Sequence, residues 1–420
     1  MSVEPQRSGV STRAGWYLLG PAFVAAIAYV DPGNVAANIS AGAQFGFLLL
    51  WVIVVANVMA GLVQYLSAKL GLVTGRSLPE AVADNSSRPT RFGYWLQAEL
   101  VAIATDLAEV VGGAVALQLL FGLPILLGGV ITGAVSLLLL AVQDRRGQRR
   151  FEVVVSGLLL VITVGFLTSL VVKPPPVAEV VGGLVPGFQG AESVLLAAAI
   201  FGATVMPHAV YLHSGLSRDR HGQPPPGAER RRLLRITRWD VALAMLVAGT
   251  VNAAMLLTAA TNLQGKTGTE SIEGAHAAVR DSLGPTVALF FAIALLASGL
   301  ASTSVGAYAG AMVMQGLLQI SVPVLVRRLI TLIPALVVLA IGMDPSRALV
   351  LSQVVLSFGI PFALIPVIRL TGNRTLMGAD ANHRFTSGAA WVAAAVVTLL
   401  NVALIYLAVT GWVSARVVEG

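Results

Sequence analysis

Four carboxylates stand inside apolar runs, away from their ends: Asp31, Glu99, Asp106 and Glu109. His208 and His213 are the histidines at similar depth. An ionisable side chain in hydrocarbon is costly, so each such group is by default a candidate for function. Asp31 sits in Ala28-Tyr29-Val30-Asp31-Pro32-Gly33-Asn34. Pro32 removes a backbone donor and Gly33 loosens the chain, so a helix breaks there. Broken backbone at membrane depth is tolerated only where it is buried in protein or lines a cavity. Carbonyl oxygens freed beside a carboxylate and the Asn34 amide outline a site for an oxygen-seeking cation. The blander alternative is a proline kink with a buried, hydrogen-bonded Asp.

A second break follows at Ala203-Thr204-Val205-Met206-Pro207-His208, and Ala-Tyr-Val-Asp-Pro matches Ala-Thr-Val-Met-Pro. The two breaks fall in the first and sixth apolar spans. Five helices form an odd-numbered unit, so two successive copies cross a membrane in opposite senses. Interrupted helices at corresponding places of two inverted halves point to the central site of a transporter. Met206 stands where the first copy has Asp31. A thioether adds nothing for Mg²⁺ or Ca²⁺ and suits Mn²⁺, Fe²⁺ and later ions. A lone methionine in a membrane helix otherwise packs; its place opposite Asp31 favours ligation.

Asp106 and Glu109 are three residues apart, hence on one helix face, and Glu99 lies two turns earlier on the same side. Proton relays in membranes are built from such Asp/Glu/His chains. His208 and His213 add imidazoles, which titrate near neutral pH unaided. The alternatives are neutral packing roles for Glu99 and Glu109, and a solvated His213 at a helix end. Asn57 in span two and Asn252 in span seven occupy corresponding helices of the two halves. They are candidates for bridging gating helices, or for satisfying each other.

The elements that must position these groups are membrane helices. Hydrophobic residues make up 56% of the 420 and charged residues 11%, and mean hydropathy is +0.83. So little charge cannot cover a water-facing surface, since soluble domains carry about 25%. There is no cysteine, which excludes disulfides and thiolate metal sites. Eleven apolar spans are expected at about 15–40, 45–72, 95–119, 121–143, 152–172, 194–216, 240–260, 284–316, 322–343, 346–368 and 388–413. Each offers the roughly 20 residues a crossing needs. Most of the 27 Lys and Arg fall on one side, with clusters at Arg145, Arg146, Arg149, Arg150 and at Arg230, Arg231, Arg232, Arg235, Arg238. The positive-inside rule then puts the N-terminus in the cytoplasm and the C-terminus outside. The net charge of +7 is thereby a topology signal, and no nucleic-acid partner is implied. The longer connections, 217–239 and 261–283, are too small for a catalytic domain. His208 and His213, five apart, face different sides of a helix, which weighs against a membrane metalloenzyme.

These residues resemble the NRAMP family of proton-coupled manganese and iron transporters, most of all its bacterial manganese carriers. The likeness rests on Asp31-Pro32-Gly33-Asn34 with Met206-Pro207-His208. It extends through Thr105-Asp106-Leu107-Ala108-Glu109, Tyr211-Leu212-His213-Ser214 and Leu351-Ser352-Gln353. Many eukaryotic members have Asn after the histidine of the second break, where Ala209 stands here. The resemblance implies an all-α integral membrane protein of LeuT-like fold. A tail at 1–14 precedes inverted five-helix repeats at 15–172 and 194–368, and helix 11 follows at 388–413. It implies metal ligation by the side chains of Asp31, Asn34 and Met206, by the carbonyls of Ala28 and Ala203 in different conformations, and by Gln353 when the site faces outward. It further implies that an arginine at the start of span nine, Arg327 or Arg328, pairs with the span-three carboxylates and gives the proton an exit.

The function expected is therefore import of Mn²⁺, with Fe²⁺ and Cd²⁺, driven by protons through alternating access at a bacterial cytoplasmic membrane. Metal ion, proton and lipid are the expected partners, no cofactor or enzymatic step is called for, and a monomer suffices. The alternative is a LeuT-like carrier of an organic solute such as an amino acid, whose carboxylate Asp31 would repel.

Overall fold

The computed structural model describes residues 20–418 apart from 147, 267, 270 and 321. The expected tail 1–14 and the first residues of the opening span, 15–19, lie outside the described residues, as do the side chains of Arg145, Arg146, Arg149 and Arg150. Among the described residues every regular element is helical. The first half runs α1 (Pro21–Ile27), a 3-10 turn (Ala28–Val30), α2 (Pro32–Phe45), α3 (Leu50–Thr74), α4 (Leu78–Asp84), α5 (Arg88–Phe121), α6 (Ile125–Arg146) and α7 (Gln148–Val172). After the short α8 (Val177–Gly182) come α9 (Gly190–Thr204), α10 (Pro207–His221), α11 (Ala228–Asn262), α12 (Ile272–Leu283), α13 (Pro285–Leu318), α14 (Val324–Ala340) and α15 (Pro345–Gly372). The chain ends in α16 (Arg374–Met377), a 3-10 turn (Gly378–Asp380) and α17 (Arg384–Val418).

Both sequence breaks are restarts rather than kinks. Asp31 is extended (φ −71°, ψ 169°) and Pro32 opens α2. Met206 is likewise extended (φ −65°, ψ 119°) and Pro207 opens α10. A proline at the first helical position loses no hydrogen bond and has its φ already set. Among the described residues, each of the eleven expected spans overlaps a helix or one of these broken pairs. Seven of the described helical stretches, with α9 and α10 taken as one, are long and apolar enough to cross a membrane by themselves.

Two segments differ from the sequence expectation. The long connection expected at 217–239 shrinks, because α10 continues to His221 and α11 starts at Ala228. Arginine is a good helix former, so the basic stretch extends the apolar helix instead of interrupting it. The polar segment 261–283 contains α12, capped by the Ser271 side chain.

A single large core, running from Ala22 to Val397, holds the bundle together. At its centre α5 packs along α13 and α15, α11 packs on α2 and α3, and α9 lies against α15 and α2. α17 rests on α15, where Asn401 and Ser357 exchange two hydrogen bonds of 2.7 and 2.9 Å. Val58, Leu100, Leu160 and Leu246 are among many large apolar side chains exposed on the outside. Such a surface suits lipid as its solvent.

Candidate metal site and its polar surroundings

Asp31 caps the N-terminus of α2. Its Oδ1 accepts from the backbone N–H of Asn34 and from Asn34 Nδ2, both at 2.7 Å. Asn34 Nδ2 also donates across to the Ala203 carbonyl, 3.0 Å away on the second break. From α15, Gln353 Nε2 donates to Asp31 Oδ2 at 3.4 Å and to Ser352 Oγ at 3.3 Å. A carboxylate and a backbone carbonyl can only accept, so these contacts fix which amide atom is nitrogen. That leaves Asn34 Oδ1 and Gln353 Oε1 buried without a partner. Unsatisfied buried acceptors are rare and call for an explanation. Here they are two neutral oxygens beside one carboxylate, which is the chemistry of a small hard-to-intermediate cation site.

The site is fully enclosed: Asp31, Met206 and Gln353 have no exposed surface. Glycine makes the enclosure possible. A Cβ on Gly33 would fall 1.6 Å from Gln353 Nε2, and one on Gly202 would fall 1.9 Å from the Gln353 carbonyl oxygen. Of the six expected ligands, Asp31, Asn34, Ala203 and Gln353 are thus joined by direct contacts. Ala28 begins the 3-10 turn of the first break, and Met206 caps α10 three residues beyond Ala203.

The freed backbone of the first break is met by side chains. Asn252 Nδ2 donates to the Tyr29 carbonyl at 2.7 Å, and Ser298 Oγ to the Val30 carbonyl at 2.5 Å. Asn38 Nδ2 in turn donates to Asn252 Oδ1 at 2.9 Å. Asn252 therefore holds the break from α11. Asn57 does not pair with it, since its amide lies against Gly249 one turn away. The two asparagines therefore do not satisfy each other, because Asn252 uses its amide on Tyr29 and Asn38.

Beside this site runs a buried ion-pair row between α5 and α14. Arg328, 1% exposed, donates to Asp106 through Nη1 and to Glu109 Oε2 through Nη2 at 3.2 Å. Its fork also reaches Thr303 Oγ1 at 3.4 Å and Ser136 Oγ at 3.3 Å. Arg327 Nη2 meets both oxygens of Glu99 at 3.1 Å. Neither arginine is ordinary interfacial charge; a planar, multidonor guanidinium is what a buried pair of carboxylates requires. Glu109 Oε1 has no partner.

The histidines diverge. His208 Nδ1 lies 3.4 Å from Thr105 Oγ1, next to Asp106, and so links the second break to the row. His213 is not solvated: it is fully buried, with Nδ1 2.6 Å from Gln64 Oε1. Gln64 Nε2 then donates to the Tyr29 hydroxyl. Sequence reasoning missed Gln64, whose signal was an amide seven residues after Asn57 inside the same apolar span. It also missed Asp240, whose carboxylate accepts from the N–H groups of Gly20 and Ala22 at 3.1 Å each, at the start of α1.

Two interrupted helices meeting at an enclosed polar site within an apolar helical bundle are the arrangement of a membrane transporter of LeuT-like fold. The profile of the Nramp family, described as natural resistance-associated macrophage protein-like, matches residues 22–407. The divalent metal cation transporter MntH of Mycobacterium tuberculosis (strain ATCC 25618 / H37Rv) is 70% identical over 406 residues, covering 97% of this chain and 95% of that protein. MntH of Deinococcus radiodurans is 48% identical over 385 residues, covering 91% and 88%. Among solved structures, the Eremococcus coleocola manganese transporter, in complex with an aromatic bis-isothiourea substituted compound, superposes with a TM-score of 0.84 at 32% identity, covering 95% of this chain and 87% of that one. MhsT, solved with L-phenylalanine, shares the fold at 12% identity and a TM-score of 0.57, covering 96% and 99%. The chain belongs to the Nramp family and is a membrane transporter of metal ions.

Proposed function

We propose that this chain imports Mn²⁺, with Fe²⁺ and Cd²⁺ as further substrates, and that proton entry drives the import through alternating access. One observation carries the reading. Asp31 is the only carboxylate at the breaks, and two buried amide oxygens beside it lack partners. A divalent ion entering there gains a charged oxygen, neutral oxygens from Asn34 and Gln353, and the thioether of Met206. The carbonyls of Ala28 and Ala203 exchange as the site opens to either side. Hard ions gain nothing from sulfur, so the set favours transition metals over Ca²⁺ and Mg²⁺. The names of the MntH relatives and of the Eremococcus coleocola transporter support the same substrate class.

The proton shares Asp31 with the metal and then leaves by its own route. Asp31 and His208 stand at its entrance, and Asp106, Glu109 and Glu99, each held by Arg328 or Arg327, form its exit. His213 joins through Gln64 and Tyr29. Residues 15–172 and 194–368 act as the two inverted repeats, with Asn57 and Asn252 on helices that rock between them. Eleven crossings place the N-terminus inside and the C-terminus outside a bacterial inner membrane, and one chain suffices.

Proteoliposomes containing the purified chain test this. Mn²⁺ uptake accompanied by acidification of the lumen is the expected result. Metal uptake with no proton movement would overturn the coupling, and uptake of labelled phenylalanine without metal uptake would overturn the substrate.

A further inference from the structure

The opening turns of α11 carry five arginines and use them in two ways. Arg230 turns inward, where Nε and Nη2 donate to the Pro224 carbonyl at 2.9 and 2.7 Å and Nη1 meets Asp380 at 3.3 Å. Arg231, Arg232, Arg235 and Arg238 face outward and are exposed. Among the described residues none of these four has a carboxylate partner, whereas Arg218, Arg327 and Arg328 each do. At 100° per residue the four fall within an arc of about 120°. The same arc continues through Trp239, 63% exposed, to Leu246, with Leu243 just outside its edge. One stripe thus passes from guanidinium through indole to aliphatic side chains.

That order matches the depth profile of one leaflet. An exposed tryptophan favours the interface. Arg235 lies about 6 Å beyond it along the helix, at headgroup depth, and Arg231 about 12 Å beyond it, outside that layer with a side chain long enough to reach back. Next to the stripe, α3 runs antiparallel. Arg238 sits 5.1 Å over the Tyr65 ring, and Gly61 faces Met245 with room for a Cβ at 3.7 Å. Val58 and Leu246 are strongly exposed on either side. The seam between the helices is therefore shallow, apolar and roofed by cations that lack carboxylate partners.

We propose that the α3–α11 seam is a binding site for an anionic phospholipid of the leaflet on the basic side. Its phosphate is held by Arg231, Arg235 and Arg238, and its acyl chain lies along Val58 and Leu246 over Gly61. Guanidinium forks suit phosphate oxygens, and each basic residue near an anionic surface adds about 1 kcal/mol of attraction, or roughly five-fold.

Native mass spectrometry of the full chain, extracted in mild detergent from bilayers of phosphatidylglycerol and phosphatidylcholine, tests it. Three forms are compared: wild type, the triple variant R231Q/R235Q/R238Q, and a control triple R369Q/R374Q/R384Q, which removes the same charge from arginines elsewhere. The wild type and the control should retain phosphatidylglycerol, and the α11 triple should lose ten-fold or more of it. Gly61→Phe, which alters no charge, should displace the lipid as well. Equal loss in both triples means diffuse attraction and overturns the site, as does equal retention in all three or equal retention of phosphatidylcholine. Lipid retained by Gly61→Phe removes the seam from the proposal.

Discussion

Gln353 Nε2 lies 3.4 Å from Asp31 Oδ2, so α15 reaches the carboxylate of the first break directly. The contact uses the amide nitrogen and leaves Oε1 free. Oε1 is therefore the atom through which the amide can serve a metal. Gln353→Leu should therefore weaken Mn²⁺ binding about ten-fold, the equivalent of 1.4 kcal/mol. Calorimetric titration of the purified variant checks this; an unchanged dissociation constant removes Gln353 from the ligand set.

Asp31→Ala takes away the charged ligand and the cap of α2 together. Mn²⁺ uptake into proteoliposomes should fall to background while the protein still elutes as a monodisperse species. Asn34→Ala should reduce uptake less, because it removes one neutral oxygen. Wild-type uptake by Asp31→Ala is the result that sinks the site.

Met206→Ala bears on selectivity alone. It should cost little for Mn²⁺, which is content with oxygen, and more for Cd²⁺, which prefers sulfur. Ca²⁺ and Mg²⁺ should compete better against Mn²⁺ uptake than they do in the wild type. If the competition order of the four ions does not move, Met206 only packs.

Gly202 is where α9 touches α15, with Gln353 backbone 1.9 Å from the position of an added Cβ. A backbone atom cannot swing aside as a flexible side chain can. Gly202→Val should then destabilise the protein by about 1–3 kcal/mol and lower the midpoint of detergent-solubilised thermal unfolding. Wild-type stability with wild-type uptake would falsify the tight packing at this contact.

Much of this was legible in the sequence because the bilayer penalises exceptions. A carboxylate next to Pro-Gly inside an apolar run has few explanations, so Asp31 with Asn34 reads as a site from the sequence alone. Asp106 and Glu109 fall on one face by helical period alone. What sequence could not supply was pairing between distant segments. The Asn252 contact to Tyr29 joins α11 to the first break, and the Asp240 contacts to Gly20 and Ala22 join it to the start of α1, each across more than two hundred residues. Nothing local marks such contacts. Helix ends were also misjudged where hydropathy was the guide: α11 begins at Ala228, since a helix persists through arginine although the membrane does not.

Arg328 separates proton coupling from metal binding. It joins Asp106 and Glu109 on α5, a helix outside the two breaks, so neither carboxylate need touch the metal. Removing one partner of a buried ion pair leaves a charge uncompensated, at a cost of about 3–5 kcal/mol. Arg328→Ala should therefore misfold or lose activity without discriminating between roles. Asp106→Asn is the informative change, because it preserves shape and hydrogen bonding and leaves Arg328 paired with Glu109. In this variant Mn²⁺-driven acidification of proteoliposomes should be suppressed more than Mn²⁺ uptake. A membrane potential still draws a divalent cation inward, at about 2.3 kcal/mol per charge per 100 mV, so metal flux should persist when a potential is imposed. Loss of both fluxes together with loss of equilibrium Mn²⁺ binding would assign Asp106 to the metal site or to the fold instead of the proton route.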